Sequence, residues 1–233
     1  MTTYNNFNPV VVAGTSYPIS HLCNLNIELS IEFSNGDERA INVHMRPTNH
    51  LYSRKAESED YAQKNTLDSV GAWLRSYVHR LGNYQAVDTA NLQLKEERVF
   101  CYQKWEQSKH FPLFVEHVSS SPSQVSVLAN PGDDKTCLSA LISLENEEDK
   151  VYLVFFHLHK VNSKEINMLI ESAFLVLKEE SKKAQKLIKP KDKEGMPFIL
   201  IVKNVLEGRK PFENLKRSGS SYKRKKKKNK NKT

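Results

Sequence analysis

No run in this chain approaches the roughly 18 uncharged apolar residues that a bilayer-spanning helix needs. The first residues, Met1 to Gly14, lack the basic start and long apolar centre of a secretory signal. The expectation is a cytoplasmic protein without membrane contact. Cysteine is scarce: Cys23, Cys101 and Cys137 are widely spaced and form no CxxC pair. That excludes a disulfide framework and a zinc knuckle and leaves buried free thiols. There is no Gly-rich phosphate loop, no GxSxG elbow and no HExxH, so the common nucleotide-hydrolysing, serine-hydrolase and zinc-protease signatures are missing and no cofactor or metal is expected. No internal repeat is present.

Acid is absent from one place in particular. Residues 216–233 hold ten Lys or Arg and no Asp or Glu. Of 35 basic and 27 acidic residues, 25 and 27 remain elsewhere, a body of about −2. The block Lys223-Arg224-Lys225-Lys226-Lys227-Lys228 repels itself and has no apolar side chains to bury. It is expected to stay disordered and to attract polyanions by counterion release. One reading is an electrostatic arm for nucleic acid, RNA before DNA; the other is a solvated end without a partner.

What is present in strength is strand pattern. From Val151 to Leu177, two β-branched and aromatic runs flank Asn162-Ser163-Lys164-Glu165, which predicts a hairpin with strands covered on both faces. A buried helix is the competing reading of such runs. Leu25 to Phe33 alternates cleanly, Asn35-Gly36 supplies a hairpin turn, and Arg39 to Met45 returns as the partner strand. Val10 to Val12 could form a short edge strand. The spacing of Trp73, Leu74, Tyr77 and Leu81 predicts a helix over 69–81. Val99 to Val118 reads as a helix, a turn at Pro112 and a further helical turn. Gln124–Leu128 and Cys137–Leu144 read as strands, Asn130 to Asp134 as a turn, the stretch after Leu177 as a charged helix, and Phe198–Val205 as a last strand. The fold class expected is α+β, a curved antiparallel sheet with a few packed helices. Residues 1–24 would be an N-terminal segment, 25–210 a single domain with 57–94 as an insertion or cover, and 211–233 the basic tail.

The return strand runs into His44-Met45-Arg46-Pro47-Thr48-Asn49-His50-Leu51-Tyr52-Ser53-Arg54-Lys55, the densest cluster of proton-transfer and phosphate-binding side chains in the body. Pro47 should end ladder pairing and hold the next segment in a fixed turn that presents His50. The bland reading is a polar strand-end turn whose histidines only hydrogen-bond. His157, His159, Lys160, Glu171 and Ser172 interrupt the apolar hairpin and need partners or a task. His157 and His159 project to one face, where solvation alone could explain them. Zinc is disfavoured because no carboxylate or thiolate at ligand spacing accompanies them.

The order of these features, from the Asn-His-aromatic-Ser-Arg turn through Trp105, Ser108 and Pro112 to VFFHLHK, IESAF and NVLEGRK, resembles a group of bacterial stand-alone proteins of phage, plasmid or genomic-island origin. The likeness spans about residues 25–210. The final part is also similar to the phage-associated branch of the barnase, colicin and RelE-like ribonucleases, with Ser172-Ala173-Phe174 standing where that group often has a tyrosine. This second resemblance implies metal-independent RNA cleavage. Under it His50 would be the general base or acid, its unperturbed imidazole titrating near neutrality. Arg46 and Arg54 would hold the phosphate through guanidinium forks, Lys160 or His159 would supply a second group, and Ser172 would position the scissile phosphate. The sharpest expectation is an endoribonuclease of toxin or phage-defence type, with an antitoxin or defence-system protein as a further partner. The alternative is a non-catalytic accessory protein that binds nucleic acid or a protein partner.

Overall fold

A computed structural model describes residues 8–77, 93–129, 137–144, 147–189 and 195–213, without the side chain of residue 147. In chain order the N-terminal half holds β1 (Val10–Val12), β2 (Thr15–Tyr17), β3 (Asn26–Glu32), β4 (Glu38–Pro47), β5 (Ser53–Lys55), α1 (Ser58–Ala62), α2 (Lys64–Ser69), β6 (Trp73–Tyr77) and β7 (Leu94–Phe100). There follow α3 (Tyr102–Ser108), α4 (Phe111–Ser120), β8 (Ser126–Ala129), β9 (Leu138–Leu144), β10 (Glu147–Lys160), β11 (Glu165–Leu177), α5 (Lys182–Ile188), β12 (Met196–Pro197) and α6 (Phe198–Leu206). The basic block 223–228, the predicted turn at 130–134 and the end of the stretch 69–81 lie outside the described residues.

Seven strands form one sheet in the order β12-β8-β9-β10-β11-β4-β3. Neighbours run antiparallel except β4 and β11, whose pairing is parallel. The predicted curved α+β sheet is thus present, in mixed form. The parallel pair arises because β4 belongs to an N-terminal hairpin that docks on the later β10–β11 hairpin as a unit. Both hairpins follow their turn chemistry. Gly36 sits at φ +85 in the tight turn between β3 and β4, where a residue without Cβ is favoured. Asn162 Oδ1 accepts from Lys164 N at 2.8 Å and braces the turn between β10 and β11.

One face of the sheet is the main core. Alternating residues such as Ile41, Val43, Tyr152, Val154, Phe156, Ile166, Met168 and Ile170 pack there with Phe111 and Phe114 of α4 and Phe198, Ile201 and Val202 of α6. Helix α6 touches both β3 and β8, near opposite edges of the sheet, so the sheet curls around it. The opposite face carries a smaller apolar cluster of Leu128, Leu153 and Leu187 under α5. A second sheet, of order β5-β7-β6, packs against α3 and the turn that follows β4.

Two elements differ from expectation. Phe198–Leu206 is a helix: Phe198, Ile201, Val202 and Leu206 are buried while Leu200 is exposed, a 3.6-residue stripe inside a strand-like composition. Residues 73–77 form a strand where a helix was predicted, because pairing with β7 overrides the helical spacing of Trp73, Leu74 and Tyr77. Pro112 opens α4 from within its first turn, a position where its missing N–H costs nothing.

Candidate functional site at a double bulge

The last residue of β4 to pair with β11 is Pro47, opposite Ile170. Beyond it Thr48 turns the chain, its Oγ1 donating to Ile170 O at 2.9 Å. A 3-10 turn over Asn49–Leu51 buries Leu51 and faces His50 back toward β11. Asn49 Nδ2 donates to Arg75 O at 2.9 Å and ties this turn to β6. The edge of β11 left free by β4 is covered by α3, whose Gln107 Oε1 accepts from Leu175 N at 3.3 Å.

Two β-bulges meet here. In the β10–β11 pair, Phe155 faces Ser172 and Phe156 faces Ile170, so Glu171 is the extra residue. In the β6–β7 pair, Ser76 faces Glu96 and Tyr77 faces Leu94, so Lys95 is extra. A bulge re-aims the side chain it inserts. The two re-aimed side chains join, Lys95 Nζ to Glu171 Oε2 at 3.0 Å.

His50 lies between these strands with its side chain 12% exposed. Its Nε2 is 3.0 Å from Glu96 Oε1 and 3.1 Å from Ser76 Oγ, and its Nδ1 is 3.8 Å from Glu171 Oε2. Burial, then the charge of Arg98, pushes His50 down to about 4, against the pull of Glu171 and Glu96. Arg98 is 5% exposed. It donates to Ser53 Oγ and Ser53 O, each at 2.8 Å, and to Glu96. Burial raises the pKa of Glu171, but the hydrogen bond and charge of Lys95, then His50 and His157, bring it below the ordinary carboxylate range. His157 Nε2 stands 4.0 Å from Glu171 Oε1. Lys104, lowered by burial and by Arg98, donates to His50 O at 3.0 Å and to Ser172 Oγ at 3.4 Å. The cluster therefore combines an imidazole held neutral, two carboxylates and three cations beside a strand edge.

The sequence-predicted residues divide. His50 and Ser172 are in the cluster. Arg46 lies on the same sheet face, in the row Arg46, Leu169, His157, with Nε donating to Asn167 Oδ1 at 3.3 Å. His159 also faces that side, its ring stacked against His157 with centroids 6.0 Å apart. Arg54 is engaged elsewhere, in a bidentate pair with Asp60 at 2.5 and 2.7 Å that also fixes the start of α1. Lys160 reaches α6, donating to Leu206 O at 2.5 Å. Sequence reasoning missed Lys95, Glu96, Arg98 and Lys104. The alternation of Glu96, Arg98 and Phe100 was the available signal, hidden by the charge of the run. Among the described residues, no three His, Cys, Asp or Glu side chains are placed to hold a metal ion, and no helix is long and apolar enough to cross a membrane.

Residues 9–206 match the YjaZ family. The chain belongs to that family. This agrees with the expected bacterial group, and the resemblance to the ribonuclease superfamily has no match of its own. No curated protein matches this YjaZ-family chain, and no solved structure does.

Proposed function

We propose that this protein is RNA-directed and, in its sharpest form, a metal-independent endoribonuclease of toxin or phage-defence type, its basic tail adding affinity for the polyanion. The observation that carries this reading is the junction of a neutral, partly accessible His50 with Glu171, Lys95 and His157 at the double bulge. Cleavage of RNA without metal needs a base at the 2′-hydroxyl, cations on the phosphate and a proton donor for the leaving oxygen. Here His50 Nδ1 takes the 2′-hydroxyl proton, and Glu171 beside it stabilises the imidazolium. The freed oxygen attacks the adjacent phosphorus while Lys95 neutralises the phosphate. His157 gives its proton to the departing 5′-oxygen, leaving a 2′,3′-cyclic phosphate and a 5′-hydroxyl. Arg98 is too buried to touch substrate; it positions Glu96 and keeps His50 neutral. Lys104 positions Ser172. An antitoxin-like partner would have to cover this junction.

One observation favours the non-catalytic reading: Lys95 and Arg98 already have carboxylate partners. A binding module would use such a network as structure and leave contact to the tail.

The test is incubation of the full chain with mixed RNA in excess EDTA, beside His50→Ala and Glu171→Gln, with 2′,3′-cyclic phosphate ends assayed. The nuclease reading expects cleavage that falls by about 10²–10⁴ in His50→Ala with RNA binding retained. Intact RNA, with a salt-dependent mobility shift that needs the tail, would replace it with the binding module.

A further inference from the structure

Beside the junction, the same sheet face carries two aromatic rings that the chemistry above does not use. Phe155 and Phe174 are neighbours on β10 and β11, near-parallel at 19° with centroids 5.7 Å apart, and both are half-buried. Phe155 leans on the small cluster of Leu128, Leu153 and Leu187, whereas Phe174 belongs to none of the apolar clusters formed among the described residues. Lysines flank the pair. Lys183 Nζ lies 4.7 Å from the Phe155 centroid and Lys104 Nζ 5.8 Å from that of Phe174. Lys104 is also the cation bonded to Ser172 and to the backbone of His50, so it links the rings to the junction.

Ser172 and Phe174 are two residues apart on one strand, which sets them about 7 Å apart on one face. That step is comparable to the distance from a nucleotide's phosphate to its base. An aromatic ring flanked by ammonium groups beside a phosphate-sized site has the features that hold single-stranded nucleic acid: a flat face for stacking and cations for the backbone.

We infer that Phe174, backed by Phe155, is the stacking subsite for the nucleobase of the nucleotide whose phosphate lies at the junction, which makes single-stranded RNA the substrate class. The inference rests on the RNA-directed reading above for the identity of that phosphate. It does not need the chain to be catalytic. Stacking tolerates any base, so selectivity among the four bases at this position should be weak.

The test is calorimetric titration of the full chain in EDTA with 3′-AMP and, separately, with ribose 5-phosphate, which has no base. The expected result is that 3′-AMP binds about tenfold more tightly or better. Phe174→Leu should remove that preference and leave the ribose 5-phosphate affinity unchanged. In case Phe174→Leu fails to fold, the wild-type chain supplies an independent reading: 3′-AMP should shift the Phe174 ring protons upfield in NMR spectra, and ribose 5-phosphate should not. Equal affinities for the two probes, or a preference that survives Phe174→Leu, would overturn the subsite. RNA cleavage by a chain that binds 3′-AMP and ribose 5-phosphate equally sinks the subsite alone. Tighter binding of 3′-AMP than of ribose 5-phosphate by a chain that leaves RNA intact supports the subsite and sinks the nuclease.

Discussion

Arg98 sits at the centre of the residue-scale energetics because it is nearly enclosed and its charge is answered by Glu96 and two oxygens of Ser53. Removing one member of a buried ion pair leaves the other uncompensated and costs roughly 3–5 kcal/mol. Arg98→Met should destabilise by about that much. It should also remove a cation beside His50 and leave Glu96, already 3.0 Å from His50 Nε2, unshared, so the imidazole should titrate well above about 4. A histidine NMR titration checks this; a His50 that still titrates near 4 would mean that burial alone depresses it. A second consequence concerns pH. The unfolded chain protonates this histidine near 6.5 and the folded chain only near 4. Its contribution to stability is therefore complete above 6.5 and is lost as pH falls toward 4. The loss amounts to roughly 2–3 kcal/mol. His50→Gln should flatten that part of the stability profile, as urea melts between pH 7 and 4 would show. At this scale the sequence made His50 and Ser172 visible through clustering and interruption. It did not reveal Arg98 or Lys95, because a run such as Leu94 to Arg98 reads as solvated charge until the pairing register is known.

At the scale of elements, local chemistry was legible where a turn dictates it and illegible where tertiary pairing decides. The Asn35-Gly36 turn and the Asn162 turn each fixed a hairpin from a few residues. Phe198–Leu206 carries Ile and Val in number, and only the curl of the sheet around it makes its 3.6-residue stripe the relevant pattern. The bulges at Lys95 and Glu171 have no local signature, since an extra residue exists only relative to a partner strand. Gly71 shows how closely separate elements are fitted. It turns from α2 into β6 at φ +76, and a Cβ there would lie 2.3 Å from Val11 O, while Ala13 N donates to Val70 O at 2.8 Å. Gly71→Ala therefore combines a left-handed backbone with an overlap against fixed main chain. It should destabilise by at least about 2 kcal/mol, more than a typical surface change. Because β6 carries Ser76 against His50, the same variant should loosen the junction, seen as faster hydrogen exchange in β6. An unchanged melting temperature would show that β1 and β2 can move aside at no cost.

For the whole molecule, charge and fold are separable. Among the described residues, the buried core includes none beyond Leu206, and of those that follow it only half-buried Phe212 packs against it; all ten cations of 216–233 come later in the sequence. Truncation after Glu213 should thus leave the melting temperature within about 2 °C of the full chain. Under the proposed RNA-directed function, the effect on RNA binding should be large, because the remaining body carries 25 basic against 27 acidic residues. For single strands, each phosphate neutralised contributes about −0.7 to the slope of log affinity against log salt. Ten cations in full contact would account for a slope of about −7, and partial contact for a proportionate share. Truncation should remove most of the salt dependence while cleavage of a short oligonucleotide at saturating concentration persists, since the residues at the double bulge are untouched. A truncated chain that keeps the full slope would place the polyanion on the folded body, along the row from Arg46 to His157. One that loses cleavage at saturation would make the tail part of the reacting site.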